Sequence, residues 1–121
     1  MLATLGLCSG CHAQDGITTL EPKQFAETFK TDSTAVLLDV RTPEEYSEGR
    51  LDGAKCLDFK NTEAFETGLK ELSKFPTYYV YCRSGRRSLA ACKQMKAEGF
   101  KVIDMTGGIL AWEADGLPIV K

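Results

Sequence analysis

The chain has 121 residues, 43% of them hydrophobic, and a formal net charge of −2, which suits one domain with a core of its own. Its mild acidity, with arginines gathered just after position 82 instead of spread along a stripe, argues against nucleic acid as a partner. No apolar run is long enough to span a bilayer as a transmembrane helix, and five cysteines, at 8, 11, 56, 82 and 92, are odd in number and unlike the even framework of a disulfide-stapled miniprotein.

Residues 1–13 differ from the rest: small, apolar and ahead of any periodic pattern, they read as a signal or lipoprotein segment, with a disordered tail as the alternative. Ser9-Gly10-Cys11 resembles the small-small-Cys close of a lipoprotein signal, although Cys8 stands where an aliphatic residue is usual. Cys11-His12-Ala13 offers a small-x-Ala site with cleavage before Gln14. A signal would place the protein in a bacterial periplasm or on a lipid anchor; without one the cytoplasm is expected. Cys8-Ser9-Gly10-Cys11-His12 also matches the C-x-x-C-H pattern of haem attachment, but Asp15 and Gly16 follow at once where an apolar pocket would be needed. His12 is the only histidine, so a Cys/Cys/His metal site would lack a fourth ligand nearby. No metal and no cofactor are expected. The main domain is then residues 14–121.

From Ile17 short β-like runs alternate with helical spacing. Ile17 to Leu20 reads as a strand, and Pro22, suited to a helix's first turn, opens a helix to Lys30 with Phe25, Ala26 and Phe29 on one face. Ala35 to Val40 is a continuous apolar run containing Asp39, the pattern of a strand covered on both faces. Thr42-Pro43-Glu44-Glu45 is a capping box, and Gly49 stops the short helix it opens. A brief strand around Cys56 is followed by a helix carrying Phe65, Leu69 and Leu72 behind an Asn61 or Thr62 cap, which Pro76 ends. Tyr78 to Cys82 is the next strand, Ser88 to Glu98 a helix capped by Gly99, Val102 to Met105 a strand and Gly108 to Ala114 the last helix. This alternation predicts an α/β fold, a central mainly parallel sheet of about five strands with helices on both faces and right-handed crossovers. Ligands of such sheets gather at the carboxyl ends of the strands, where Cys82 falls.

Cys82 precedes Arg83-Ser84-Gly85-Arg86-Arg87-Ser88. Backbone N–H groups after the strand, the positive end of the next helix and three arginines all favour thiolate over thiol at such a cysteine. Gly85 permits the left-handed geometry that lets N–H groups converge, and so many cations together call for an anion. Cys56, in the apolar patch Ala54-Lys55-Cys56-Leu57, and Cys92, on a helical face with Ala91 and Met95, read as core residues.

These residues together resemble the rhodanese domain, a single-domain sulfurtransferase family, from Ile17 to Lys121. The match rests on Leu38-Asp39-Val40-Arg41 with Glu44-Glu45-Tyr46 and Gly49-Arg50-Leu51-Asp52-Gly53-Ala54, on the Cys82 to Ser88 loop, and on Gly107-Gly108-Ile109-Leu110-Ala111-Trp112 with Gly116-Leu117-Pro118. Arg50 stands where the family usually has histidine. The resemblance implies that Cys82 takes the outer sulfur of thiosulfate or a persulfide donor, keeps it as a persulfide, and passes it to cyanide or a thiol, a thioredoxin-like protein among the acceptors. It implies further that the backbone N–H groups of Arg83, Ser84, Gly85, Arg86, Arg87 and Ser88 cradle the persulfide. Arg83 and Arg86 would then bind the small anionic donor, while Arg87 and Ser88 shape the loop. Asp39 and Arg41 read as a structural ion pair bracing the site, Trp112 as core, Glu44 and Glu45 as capping residues with a solvated face, and Tyr46 as a lining of the mouth. A monomer is expected.

Two other readings share these residues. Cysteine phosphatases of the cell-division-cycle type have this fold, but they place arginine six positions after the cysteine, where this chain has Ser88, with Arg87 one position earlier. A protein-partner sulfur carrier or a non-catalytic rhodanese-like binding module is the remaining class; inactive relatives commonly lack the loop cysteine that is present here.

Overall fold

The computed structural model describes residues 11–14 and 16–121. The expected leader lies largely outside the described residues, Cys8, Ser9 and Gly10 included. Its last part does not: β1 (Cys11–Gln14) runs antiparallel to β2 (Ile17–Leu20), with Cys11 opposite Leu20 and Gln14 opposite Ile17. The domain boundary expected between Ala13 and Gln14 thus falls inside a strand.

The remaining elements are α1 (Pro22–Thr31), β3 (Val36–Asp39), α2 (Pro43–Glu48), β4 (Lys55–Cys56), α3 (Thr62–Lys70), β5 (Thr77–Tyr81), α4 (Arg86–Ala97), β6 (Lys101–Met105) and α5 (Gly108–Ala114). They form one sheet in the order β1-β2-β6-β5-β3-β4, parallel except for the β1–β2 pair, so the strand beyond the expected five is β1. Local chemistry explains most boundaries. Thr42 and Glu45 close the capping box at α2 reciprocally, and the Asn61 side chain accepts the Ala64 N–H at 3.1 Å to open α3. The start of α4 differs from expectation: it is Arg86, two residues before Ser88, because Gly85 at φ +103° supplies a left-handed N-cap that a side chain would strain. Cys82 lies one residue beyond the end of β5.

Period-two alternation along β5 divides the core in two. Tyr78, Val80 and Cys82 face α3 and α4 with Phe65, Leu69, Ala91, Cys92 and Met95. Tyr79 and Tyr81 face α1 and α5 with Phe25, Ile109 and Trp112. At about 25 cal/mol per Å2, each such apolar side chain contributes on the order of 2 kcal/mol on burial, and both layers bury such side chains against the central strand. No helix among the described residues is long and apolar enough to cross a membrane.

Candidate active site

Cys82 is 1% exposed, at the carboxyl end of the central strand, and its sulfur accepts the Gly85 N–H at 3.0 Å. Its thiol lies 3.5 Å from Ser88 Oγ, to which it donates, and Ser88 donates in turn to Asp104 Oδ1 at 2.5 Å. The loop between them is clamped from behind by the N-terminus of α5: the Ile109 N–H donates to the Cys82 carbonyl at 2.9 Å and the Leu110 N–H to that of Arg83 at 3.1 Å. Gly108 makes this approach possible, for a Cβ there would stand 2.3 Å from the Arg83 carbonyl oxygen, and its φ is +64°. The two-glycine step that marks the resemblance is therefore part of the loop's support.

The three arginines divide. Arg83 and Arg86 are exposed and form no ion pair among the described residues. Arg87 is held by Glu45 in a bidentate pair, Nη1 to Oε1 at 2.8 Å and Nη2 to Oε2 at 2.9 Å, so its charge, although within reach of Cys82, is matched and the field there is smaller than three free cations would make it. Glu45 had been expected only to cap α2 and face solvent. It does cap, but it also holds the loop, and the hydrogen bonds from Arg87 bring its carboxyl from an ordinary 4.5 down to about 2.

Asp39 and Arg41 form a buried ion pair at the end of β3, beside the loop, with Arg41 Nη2 2.7 Å from Asp39 Oδ2. Asp39 also accepts the Arg41 N–H at 2.9 Å and the Tyr81 hydroxyl at 2.7 Å, and Arg41 donates to the Gly49 carbonyl at 2.6 Å. This pins the α2–β4 connection to the central strand. Burial, and then the charge of Asp39, push the Tyr81 phenol well up, keeping it a neutral donor.

Tyr46 and Arg50 pack on each other, the guanidinium 4.5 Å from the ring centroid, while the Tyr46 hydroxyl donates to the Ala54 carbonyl at 2.5 Å. Trp112 is core, its indole N–H donating to the Pro118 carbonyl at 2.8 Å. Cys92 is fully buried, and burial pushes its thiol up; Cys56 is half-buried and shifted the same way. Asp104 joins this cluster through Ser88 and is not among the residues expected from the sequence. Its signal was there: a lone carboxylate inside the apolar run Val102-Ile103-Asp104-Met105, a costly placement unless the group has work or partners.

A family model for the rhodanese-like domain matches residues 21–115. A sulfurtransferase of Allochromatium vinosum is 30% identical over 86% of this chain and 95% of its own length. A putative sulfurtransferase, YtwF, of Bacillus subtilis is 37% identical over 84% of this chain and 96% of its own. Among solved structures, a rhodanese-related protein of Thermoplasma volcanium superposes with a TM-score of 0.75 at 27% identity, covering 84% of this chain and 96% of that one.

Proposed function

The chain belongs to the rhodanese-like family, with sulfurtransferases among its relatives, and on that footing we propose that it moves sulfane sulfur through Cys82. The observation that carries this reading is the Cys82 sulfur at the strand end, receiving the Gly85 N–H at 3.0 Å in a loop where Arg83 and Arg86 are exposed and form no ion pair among the described residues. The sulfur of Cys82 attacks the outer sulfur of thiosulfate or of a persulfide donor. A new S–S bond forms, the donor's own S–S bond breaks, and with thiosulfate the sulfite departs with the bonding pair. Gly85, with the N–H groups of neighbouring loop residues, holds the persulfide's charge as an oxyanion hole holds oxygen. Arg83 and Arg86 draw the anionic donor in. Attack by cyanide or a thiol, such as that of a thioredoxin-like protein, on the outer sulfur then restores Cys82. Residues 14–121 are proposed as the unit that carries this chemistry, with Cys11–Ala13 adding an edge strand to it.

Mass spectrometry of the intact protein tests the proposal. Thiosulfate treatment is expected to add one sulfur to the wild type and none to Cys82→Ser, and the variant should lose thiosulfate:cyanide transfer while keeping its fold. Sulfur found on Cys92 or Cys56 would sink the assignment.

A further inference from the structure

Ser88 has one hydroxyl proton and two acceptors within reach, the Gly85 carbonyl at 3.3 Å and Asp104 Oδ1 at 2.5 Å. The shorter bond takes it, leaving a lone pair for the Cys82 thiol 3.5 Å away. Thiol, hydroxyl and carboxylate thus form a chain whose hydrogen bonds all run toward Asp104. All three residues are buried, at 1%, 0% and 3% exposure, and Asp104 makes no ion pair among the described residues. Two adjacent anions in that setting, one on sulfur and one on the carboxylate, would repel each other with little screening.

Resting on the reading of Cys82 as the nucleophile, we propose that Cys82 and Asp104 share a single proton through Ser88, so that Asp104 holds it whenever the Cys82 sulfur does not. As sulfur is loaded, the Cys82 S–H bond breaks and its proton passes to Ser88 Oγ, while the proton already on Ser88 passes to Asp104 Oδ1. The Cys82 electron pair forms the new S–S bond, and sulfite leaves with the pair of the old one. The negative charge that the carboxylate loses reappears on the persulfide, and no proton leaves the site. When an acceptor thiolate removes the outer sulfur, the pair returns to the Cys82 sulfur and Asp104 gives the proton back. Ser88 touches the reacting sulfur; Asp104 acts through it and is a positioning residue.

The surroundings fit a carboxyl that changes charge. Burial pushes Asp104 up from an ordinary 3.8 to about 7, against the opposing pull of the Ser88 hydroxyl and the Met105 N–H. Among the described residues its titratable neighbours are Cys82 and, from α4, Cys92, whose thiol is pushed up by burial and by the charges of Asp104 and Cys82. Arg86 and Lys93 line the cleft that Asp104 also borders, and β2 contributes uncharged Thr19 opposite it.

Carbon-13 NMR of protein labelled at the aspartate carboxyls decides the matter, with the Asp104 signal assigned by its loss in Asp104→Asn. Asp104 should stay protonated to higher pH in protein loaded from thiosulfate than in Cys82→Ala, by at least about one pH unit. Ser88→Ala should remove that difference, and Ser88→Thr, which keeps a hydroxyl, should restore it. An Asp104 midpoint equal in loaded protein and Cys82→Ala would overturn the shared proton, as would a rise on loading that persists in Ser88→Ala, the sign of a field acting through space. Intact mass reports separately whether Cys82 took sulfur. If it takes none, the nucleophile assignment fails, and resting protein against Cys82→Ala still decides the coupling: unequal midpoints that Ser88→Ala makes equal support it, and equal ones overturn it.

Discussion

Two buried carboxylates flank the central strand, and they are built to opposite specifications. Asp39, on β3, receives the Arg41 backbone N–H, the Arg41 guanidinium through Nε and Nη2, and the Tyr81 hydroxyl. Asp104, on β6, has the Ser88 hydroxyl, the Met105 N–H and no cation paired with it among the described residues. A carboxylate whose lone pairs are all taken by fixed donors, one of them a guanidinium, holds loops in place. One left with a single rotatable hydroxyl between itself and a thiol can exchange a proton. Burial is common to both, so partners decide the role.

The sharpest way to break this contrast is to remove each carboxylate. Asp39→Ala leaves the Arg41 guanidinium buried and unpaired and takes an acceptor from Tyr81, so it should cost about 3–5 kcal/mol in urea denaturation. Asp104→Asn should be far milder and should depend on pH in a definite sense. Because the folded carboxyl titrates near 7 against an ordinary 3.8, ionising it disfavours the fold, and wild-type stability falls as pH rises between those values. The asparagine variant escapes that loss and should gain on the wild type from pH 4 to pH 7. A cost for Asp104→Asn as large as that of Asp39→Ala, at all pH values, would erase the distinction.

The next effect tests what holds the loop between the two carboxylates. Gly108→Ala forces a Cβ to within 2.3 Å of the Arg83 carbonyl oxygen at a left-handed φ, so the α5 N-terminus must withdraw from Cys82. The expected cost is about 2–4 kcal/mol, with sulfurtransfer lost more steeply than stability. Wild-type activity in this variant would mean that the clamp is irrelevant to the chemistry.

Much of this was legible from local pattern. The strand before Cys82 announces itself by alternation, the α2 cap by Thr42 and Glu45 three residues apart, and the loop by its cations and Gly85. What could not be read joins distant positions. Glu45 and Arg87 are 42 residues apart, and nothing local to either says that the capping glutamate also grips the loop. Ser88 and Asp104 meet only because α4 packs against β6. The helical spacing places the start of α4 at Ser88, whereas it is the glycine before the arginines that turns the chain. β1 is not legible for a compositional reason: all but Gln14 of its residues lie in a segment that reads as a leader.

Glu45→Gln gives a smaller effect, at a carboxylate that, like Asp39, is held by an arginine. It removes a charge-assisted bidentate pair at a partly buried position, so it should cost about 1–2 kcal/mol at neutral pH. With the folded carboxyl held at about 2 against an ordinary 4.5, the stabilisation is complete above 4.5 and is lost as pH falls through 2. The gap between variant and wild type should therefore close in acid, opposite in sense to the trend expected at Asp104. A gap that is constant down to pH 2 would assign the loss to packing instead of charge.

The smallest expected effect belongs to the two loop arginines that pair with no carboxylate among the described residues once Glu45 has claimed Arg87. Arg83 and Arg86 are exposed, so neither contributes much to stability, and each should act on the donor alone. Removing one cation from a site that collects a dianion should raise KM for thiosulfate by about 3- to 10-fold, roughly 1 kcal/mol, with kcat nearly unchanged. Added salt should reproduce part of that rise in the wild type and less of it in the variants, since there is less charge left to screen. If both Arg83→Ala and Arg86→Ala keep the wild-type KM and salt response, donor attraction does not come from this loop's side chains. The backbone N–H groups, Gly85's first among them, would then have to supply it.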